Sequence, residues 1–184
     1  MRAFLERAGW GTAAQVPLAG DASARRYLRL HRDDGTAILM QDPEGDVARF
    51  ARLARHLTAL GLSAPRILAE DAGNGVLLIE DLGDGLIARL AAEPARERAL
   101  YLTATDALIK LHRHPPPNGL ARATPERLAG MVDLAFEHYA PAPQALTDAQ
   151  AAFVPLLAAH AVPADVMVLR DYHAENILHL PRRS

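Results

Sequence analysis

The strongest constraint on the fold is a change of periodicity near Leu82. Before it the chain carries paired strand signals, and after it mostly helical ones. Arg26-Tyr27-Leu28-Arg29-Leu30 alternates charged with apolar residues, the period of a half-buried strand. Asp33-Asp34-Gly35 then supplies a hairpin turn, and Thr36–Met40 reads as the returning strand. Pro65–Ala69 and Val76–Glu80, joined by Asp71-Ala72-Gly73-Asn74-Gly75, read as a second hairpin. Between the hairpins, Val47, Phe50, Leu53, Leu57 and Leu60 recur at helical spacing, with Gly61 placed to end the helix. A short helix over residues 3–10 precedes them. An α+β lobe built on an antiparallel sheet is therefore expected for residues 1–82.

Residues 94–113 form a long helical pattern with Leu100, Leu108 and Leu111 as its core stripe, broken by His114-Pro115-Pro116-Pro117-Asn118-Gly119. Helical patterns resume over 125–139 and 147–160, the second read as capped by Thr147 with Asp148 in its first turn. Val166–Leu169 reads as a short buried strand and Ile177–Leu180 as the strand after it.

Between those runs lies Leu169-Arg170-Asp171-Tyr172-His173-Ala174-Glu175-Asn176. An aspartate and an asparagine five positions apart in a tight loop suit phosphoryl transfer. The aspartate accepts the proton of an attacking hydroxyl, and the asparagine oxygen ligands a magnesium on nucleotide phosphates. Local backbone hydrogen bonding is the alternative use of such residues. His173 has the same two readings, substrate contact or loop packing.

Composition narrows the partners. Twenty basic and 22 acidic residues give a net charge of −2, without a basic block for nucleic acid or an acidic tail. Cysteine is absent, which excludes disulfides and thiolate metal sites. The charged N-terminus does not read as a signal peptide, and no apolar run nears the roughly 18 residues of a membrane span. The expectation is a cytoplasmic protein with no membrane or nucleic-acid partner.

Four segments in order resemble the aminoglycoside phosphotransferase-like kinases: Gly20-Asp21-Ala22-Ser23-Ala24-Arg25-Arg26-Tyr27, Ile38-Leu39-Met40-Gln41-Asp42-Pro43, Leu78-Ile79-Glu80-Asp81-Leu82-Gly83, and the loop at 169–176. Within that family the likeness is to bacterial sugar kinases that phosphorylate N-acetylmuramate or N-acetylglucosamine in cell-wall recycling. The resemblance implies a bilobal protein-kinase-like fold, with an N-terminal nucleotide-binding lobe over 1–82 and an incomplete helical C-terminal lobe over 83–184. It implies an ATP-dependent transfer of the γ-phosphoryl group to a small-molecule hydroxyl, with Mg²⁺. Asp21, Ala22, Ser23, Ala24, Arg25 and Arg26 would lie over the ATP phosphates, although a hairpin turn is the alternative reading of that loop. The backbones of Glu80 and Leu82 would meet the adenine edge, Asp171 would be the catalytic carboxylate, and Asn176 a metal ligand.

Two departures accompany the likeness. Met40 stands where protein kinases carry a lysine on the third strand, and residues 46–60 contain no glutamate to pair with one. Arg25 or Arg26 is the expected source of the replacement charge. The family's second metal-binding aspartate, in an Asp-Phe-Gln-Asp-like motif after the catalytic loop, is also missing. The chain therefore reads as the N-terminal part of a longer kinase. The alternative is a catalytically incomplete nucleotide-binding fragment that acts as an interaction module or needs a complementing C-terminal chain.

Overall fold

The structure, a computed structural model, describes residues 1–18, 25–139, 141–160 and 165–181. Five antiparallel strands form one sheet in the order β1-β2-β3-β5-β4. They are β1 (Ala14–Pro17), β2 (Arg26–Arg32), β3 (Gly35–Gln41), β4 (Ile67–Asp71) and β5 (Val76–Glu80). Arg32 pairs with Gly35 across the two-residue turn that the aspartates make, so the hairpin register follows the turn chemistry. Strand β1 extends the sheet beyond β2, although its sequence shows no clear alternation.

Ala37–Met40 of β3 and Val76–Ile79 of β5 are apolar and buried without interruption because both faces of the sheet are covered there. On one face Leu30, Ala37, Leu39, Val76 and Leu78 pack with Phe4, Leu5 and Trp10 from α1 (Arg2–Arg7) and the turn after it. On the other, Ile38, Met40, Leu77 and Ile79 pack with Val47 and Ala51 of α2 (Val47–Ala59). Small alanines thus set the closest approach of α2 to the sheet, while Phe50 is only half-buried.

Both ends of α2 are specified locally. Asp46 accepts the amide of Arg49 at 2.8 Å, a side-chain cap that stabilises a helix by about 0.5–2 kcal/mol. At the other end Gly61 takes φ +72°, Leu62 N–H donates to Leu57 O at 3.0 Å, and Gly61 N–H donates to Thr58 O at 2.9 Å. That reciprocal pair closes the last turn and needs a residue without Cβ strain.

The described residues divide into two compact units, Met1–His114 with Val168–Ser184, and Pro115–Met167. The boundary expected at Leu82 falls inside the first unit. That unit continues with α3 (Ile87–Leu90) and α4 (Pro94–His112), whose Leu100, Ala104 and Leu111 are buried. Leu108, read as core, is half-buried. The second unit holds α5 (Pro125–Gly130), capped by Thr124, a π-helical turn at Ala135–Tyr139, and α6 (Pro143–His160).

Two local expectations are corrected. Thr147 does not cap α6, because the helix starts at Pro143 and the Thr147 hydroxyl donates to the Pro143 carbonyl from inside it. Proline at the first turn needs no amide partner there, so the helix begins one turn earlier. Val166–Leu169 forms no strand, and Val168 is 65% exposed. An apolar run becomes a strand only where a neighbour accepts its ladder, and the sheet takes all five strands from residues 14–80. Of Ile177–Leu180, only Leu178 pairs, in an isolated antiparallel bridge to Leu86.

Candidate active site

The loop at 169–176 is held by the segment that leaves the sheet. Gly85 O accepts His179 N–H at 2.8 Å, and Leu86 bridges Leu178. At the start of α3, Ile87 N–H donates to Ile177 O at 2.9 Å and Ala88 N–H to Ala174 O at 3.0 Å. A helix has unpaired amides in its first turn, and here the loop's own carbonyls fill that role. Tyr172, Ala174 and Ile177 then pack on Ile87, Leu100 and Ala104. The Tyr172 hydroxyl donates to Ala104 O of α4 at 2.7 Å, and burial pushes its pKa up.

Within this frame Asp171 and Asn176 meet. Asn176 Nδ2 donates to Asp171 Oδ2 at 2.7 Å and to Asp171 O at 3.2 Å. A carboxylate only accepts, so the amide nitrogen must face it and the amide oxygen must face away. His173 Nε2 lies 3.2 Å from Asp171 Oδ1 and 3.1 Å from Asn176 Nδ2. One ring nitrogen cannot donate to the first and accept from the second at once, so the tautomer chooses between them. The Asp171 side chain is 78% exposed.

The residue before Asp171 is strained. Arg170 has φ +67°, and Asp171 N–H donates back to Leu169 O at 2.8 Å, closing a three-residue turn. Among the described residues Arg170 is the one non-glycine with positive φ. Such a conformation costs about 1–3 kcal/mol and persists where the surroundings impose it, commonly at functional sites.

Asp21, Ala22, Ser23 and Ala24 lie outside the described residues. Arg25 Nε donates to Asp42 Oδ2 at 2.8 Å, which raises the arginine pKa further. Asp42 is buried at 5% exposure and fixed from both sides. Its amide donates to Gly75 O at 2.8 Å, and a Cβ on Gly75, at φ +64°, would lie 2.5 Å from Asp42 O. Arg26 opens β2 opposite Gln41. Met40 is wholly buried on the α2 face of the sheet, so it reaches no ligand.

At the end of β5, Glu80 N–H donates to Arg66 O at 2.9 Å, and the Glu80 carboxylate accepts Arg66 N–H at 3.2 Å. Glu80 is thus tied to the strand edge. Among the described residues no hydrogen bond engages the Leu82 backbone.

Three charged residues here carry no local signal in the sequence. Arg29 forks onto Asp84, with Nη1 donating to Oδ2 at 2.9 Å and Nη2 to Oδ1 at 2.8 Å. Nη2 also donates to Asp81 Oδ1 at 3.2 Å. Nε lies 2.8 Å from Asp81 Oδ2, an ionic contact off the N–H axis. The Arg29 hydrogen bonds hold the Asp84 carboxyl below its usual range.

A model of the phosphotransferase enzyme family matches residues 14–184. The chain belongs to that family. A Caulobacter vibrioides protein named N-acetylmuramate/N-acetylglucosamine kinase is 32% identical over 225 residues, covering 98% of this chain and 62% of that protein. A Pseudomonas aeruginosa protein of the same name is 36% identical over 110 residues, covering 57% of this chain and 32% of that one. The phosphotransferase chain therefore spans less than two thirds of the length of either relative. No helix among its described residues is long and apolar enough to cross a membrane.

Proposed function

We propose that this chain serves an ATP-dependent phosphotransferase that moves a γ-phosphoryl group to a hydroxyl of a small molecule, an amino sugar of cell-wall recycling. The reading rests above all on the Asp171–Asn176 hydrogen bond, set immediately after the strained Arg170. The acceptor class rests on the names of the two relatives.

In this scheme the exposed Asp171 carboxylate orients the acceptor hydroxyl and takes its proton as the new P–O bond forms and the bond from the γ-phosphorus to the bridging oxygen breaks, releasing ADP. Asn176 holds that carboxylate through Nδ2 and turns Oδ1 toward a cation. Bound Mg·ATP supplies the phosphoryl group and neutralises its charge. The donor set fits a magnesium that arrives on phosphates better than one held in a protein cage. Among the described residues no cluster of three His, Asp or Glu side chains could hold a metal alone, and Mg²⁺ commonly keeps phosphate and water ligands. Asp21–Ala24 would cover the phosphates. Arg25, anchored by Asp42, would bring the charge that Met40 lacks. Leu82 would present its backbone to the nucleobase, while Glu80 shapes the strand end. Residues 1–82 then act as the nucleotide lobe and 83–184 as part of the acceptor lobe.

Calorimetric titration of Mg·ATP into the chain tests this, with phosphate transfer to N-acetylglucosamine and N-acetylmuramate as the second assay. Asn176→Ala should weaken Mg·ATP binding by about tenfold, the scale of one lost charge-assisted contact. Asp171→Ala should keep that affinity and lower transfer about 10²–10⁴-fold. Equal Mg·ATP affinity in parent and Asn176→Ala would remove the proposed metal role. A second reading is favoured by the share of the relatives that this chain covers, 62% and 32%: a nucleotide-binding part that needs a complementing chain. It predicts binding without transfer, and transfer restored when the part of the Caulobacter vibrioides relative that this chain does not cover is added.

A further inference from the structure

The sheet and the catalytic loop belong to one compact unit, and a single guanidinium stands where the chain passes from one to the other. Arg29 leaves β2 on the face opposite Leu28 and Leu30, which pack toward Trp10. It reaches across to the turn after β5, where Asp84 takes its fork and Asp81 takes its remaining edge. Asp81 Oδ1 also accepts Gly83 N–H at 2.9 Å. The turn 81–84 is therefore wound around Arg29, whose side chain is only 17% exposed.

The residues after Asp84 all grip the loop. Gly85 holds His179, Leu86 holds Leu178, Ile87 holds Ile177 and Ala88 holds Ala174. Asn176 lies between the last two anchor points. The path from Arg29 to Asn176 runs through one ion cluster and consecutive main-chain bonds, with no unbonded linker residue between Gly85 and Ala88.

A rigid, planar fork fixes both distance and orientation of a carboxylate, which a single ammonium does not. The Asp84 arm is solvent-facing, with its side chain 68% exposed, and such a pair adds little to stability by itself, whereas Asp81, at 7% exposed, fixes the inner edge of the guanidinium. The Asp84 arm is therefore better suited to setting position than to holding the fold. We propose that Arg29 is a positioning residue: through Asp81 and Asp84 it sets where the linker presents the Asp171–Asn176 loop to the nucleotide sheet. The functional consequence rests on the reading of Asp171 and Asn176 given above.

Amide hydrogen exchange followed by NMR on the folded chain tests the link directly. In Asp84→Ala, the Ala88 and His179 amides should exchange about tenfold faster or more, because the linker loses its fixed end. The amides of β3 and β5 should keep their parent rates. Arg29→Lys, which retains the charge and loses the fork, should loosen the same amides. Unchanged Ala88 and His179 exchange in a folded Asp84→Ala chain would overturn the proposal. So would equal acceleration in the sheet and the loop, which would mark a contribution to global stability alone. If instead Asn176→Ala leaves Mg·ATP affinity unaltered, the catalytic reading falls while the exchange result still decides the mechanical link.

Discussion

Residues 1–80 and residues 115–167 bury apolar surface to opposite degrees. The largest fully buried side chains, Leu5, Leu30, Leu39, Met40, Val47, Leu77 and Leu78, all lie in the first stretch. Among the described residues of Pro115–Met167 only Ala129 and Met167 are buried, while Met131, Leu134, Tyr139, Phe153 and Leu156 are exposed. The sheet has partners on both faces, so the apolar positions of β3 and β5 meet others, while Val16 and Leu68 on the edge strands stay exposed. Helix α6 has no buried residue at all. Helical propensity and deep burial are separate contributions, and α6 packs against α5 while burying none of its residues fully. The lesson for function is that the loop carrying Asp171 and Asn176 is anchored to the well-packed unit, through α3 and α4, rather than to the loosely packed one.

The sharpest way to break that contrast is to place a charge in the sheet. Met40→Lys restores the residue type that protein kinases use on this strand. Here its neighbours are Ile38, Val47, Ala51, Leu77 and Ile79, and α2 carries no acidic residue. An unpaired buried charge should cost about 3–5 kcal/mol. Urea unfolding monitored by Trp10, the single tryptophan and part of the opposite core face, reads it out. A parent-like midpoint would show that the sheet tolerates a lysine and that its seal is looser than the geometry indicates.

Next in size is the ion pair between Arg25, just before β2, and Asp42, just after β3. Asp42→Asn keeps the shape and removes the charge that Arg25 Nε contacts at 2.8 Å. Asp42 is buried but Arg25 is partly exposed, so solvent screening limits the loss to about 1–2 kcal/mol. If Arg25 supplies the phosphate-facing charge, Mg·ATP affinity should also fall about three- to tenfold, as expected when a positioned donor is released. Lost stability with unchanged affinity would separate the structural role of the pair from the proposed nucleotide role.

What could be read from the chain, and what could not, divides along the same physical line. The β2–β3 hairpin, α2 and its Gly61 stop are local events, specified by alternation, helical spacing and one residue that tolerates positive φ. The Asp171–Asn176 pair is local too, since five positions suffice to bring both groups into one turn. Arg29 is 52 positions from Asp81 and 55 from Asp84, and no short-range pattern announces such a cluster. Arg25 and Asp42 are 17 apart and needed the β2–β3 register to be paired. The Val166–Leu169 strand failed for the converse reason. Its composition suits a ladder, but a strand requires a neighbour that composition cannot supply. Thr147 suits a cap by residue type, but the helix begins at Pro143, where proline fits the first turn.

The smallest expected effect sharpens the comparison most, because it is close to zero. Leu156→Ala and Phe153→Ala remove large apolar groups from α6, where both are exposed. A buried leucine lost from the sheet, as in Leu78→Ala, should cost about 2–5 kcal/mol, because a cavity is left behind. An exposed one leaves no cavity, and alanine is the better helix former, so each α6 change should alter stability by about 0.5 kcal/mol or less. Urea unfolding of the three variants under one set of conditions provides the test, with circular dichroism at 222 nm following the helices. If Leu156→Ala costs as much as Leu78→Ala, α6 has an apolar partner in solution, and the contrast between the two regions disappears. If the α6 variants match the parent while Leu78→Ala does not, cooperative stability is confined to the unit that carries the Asp171–Asn176 loop.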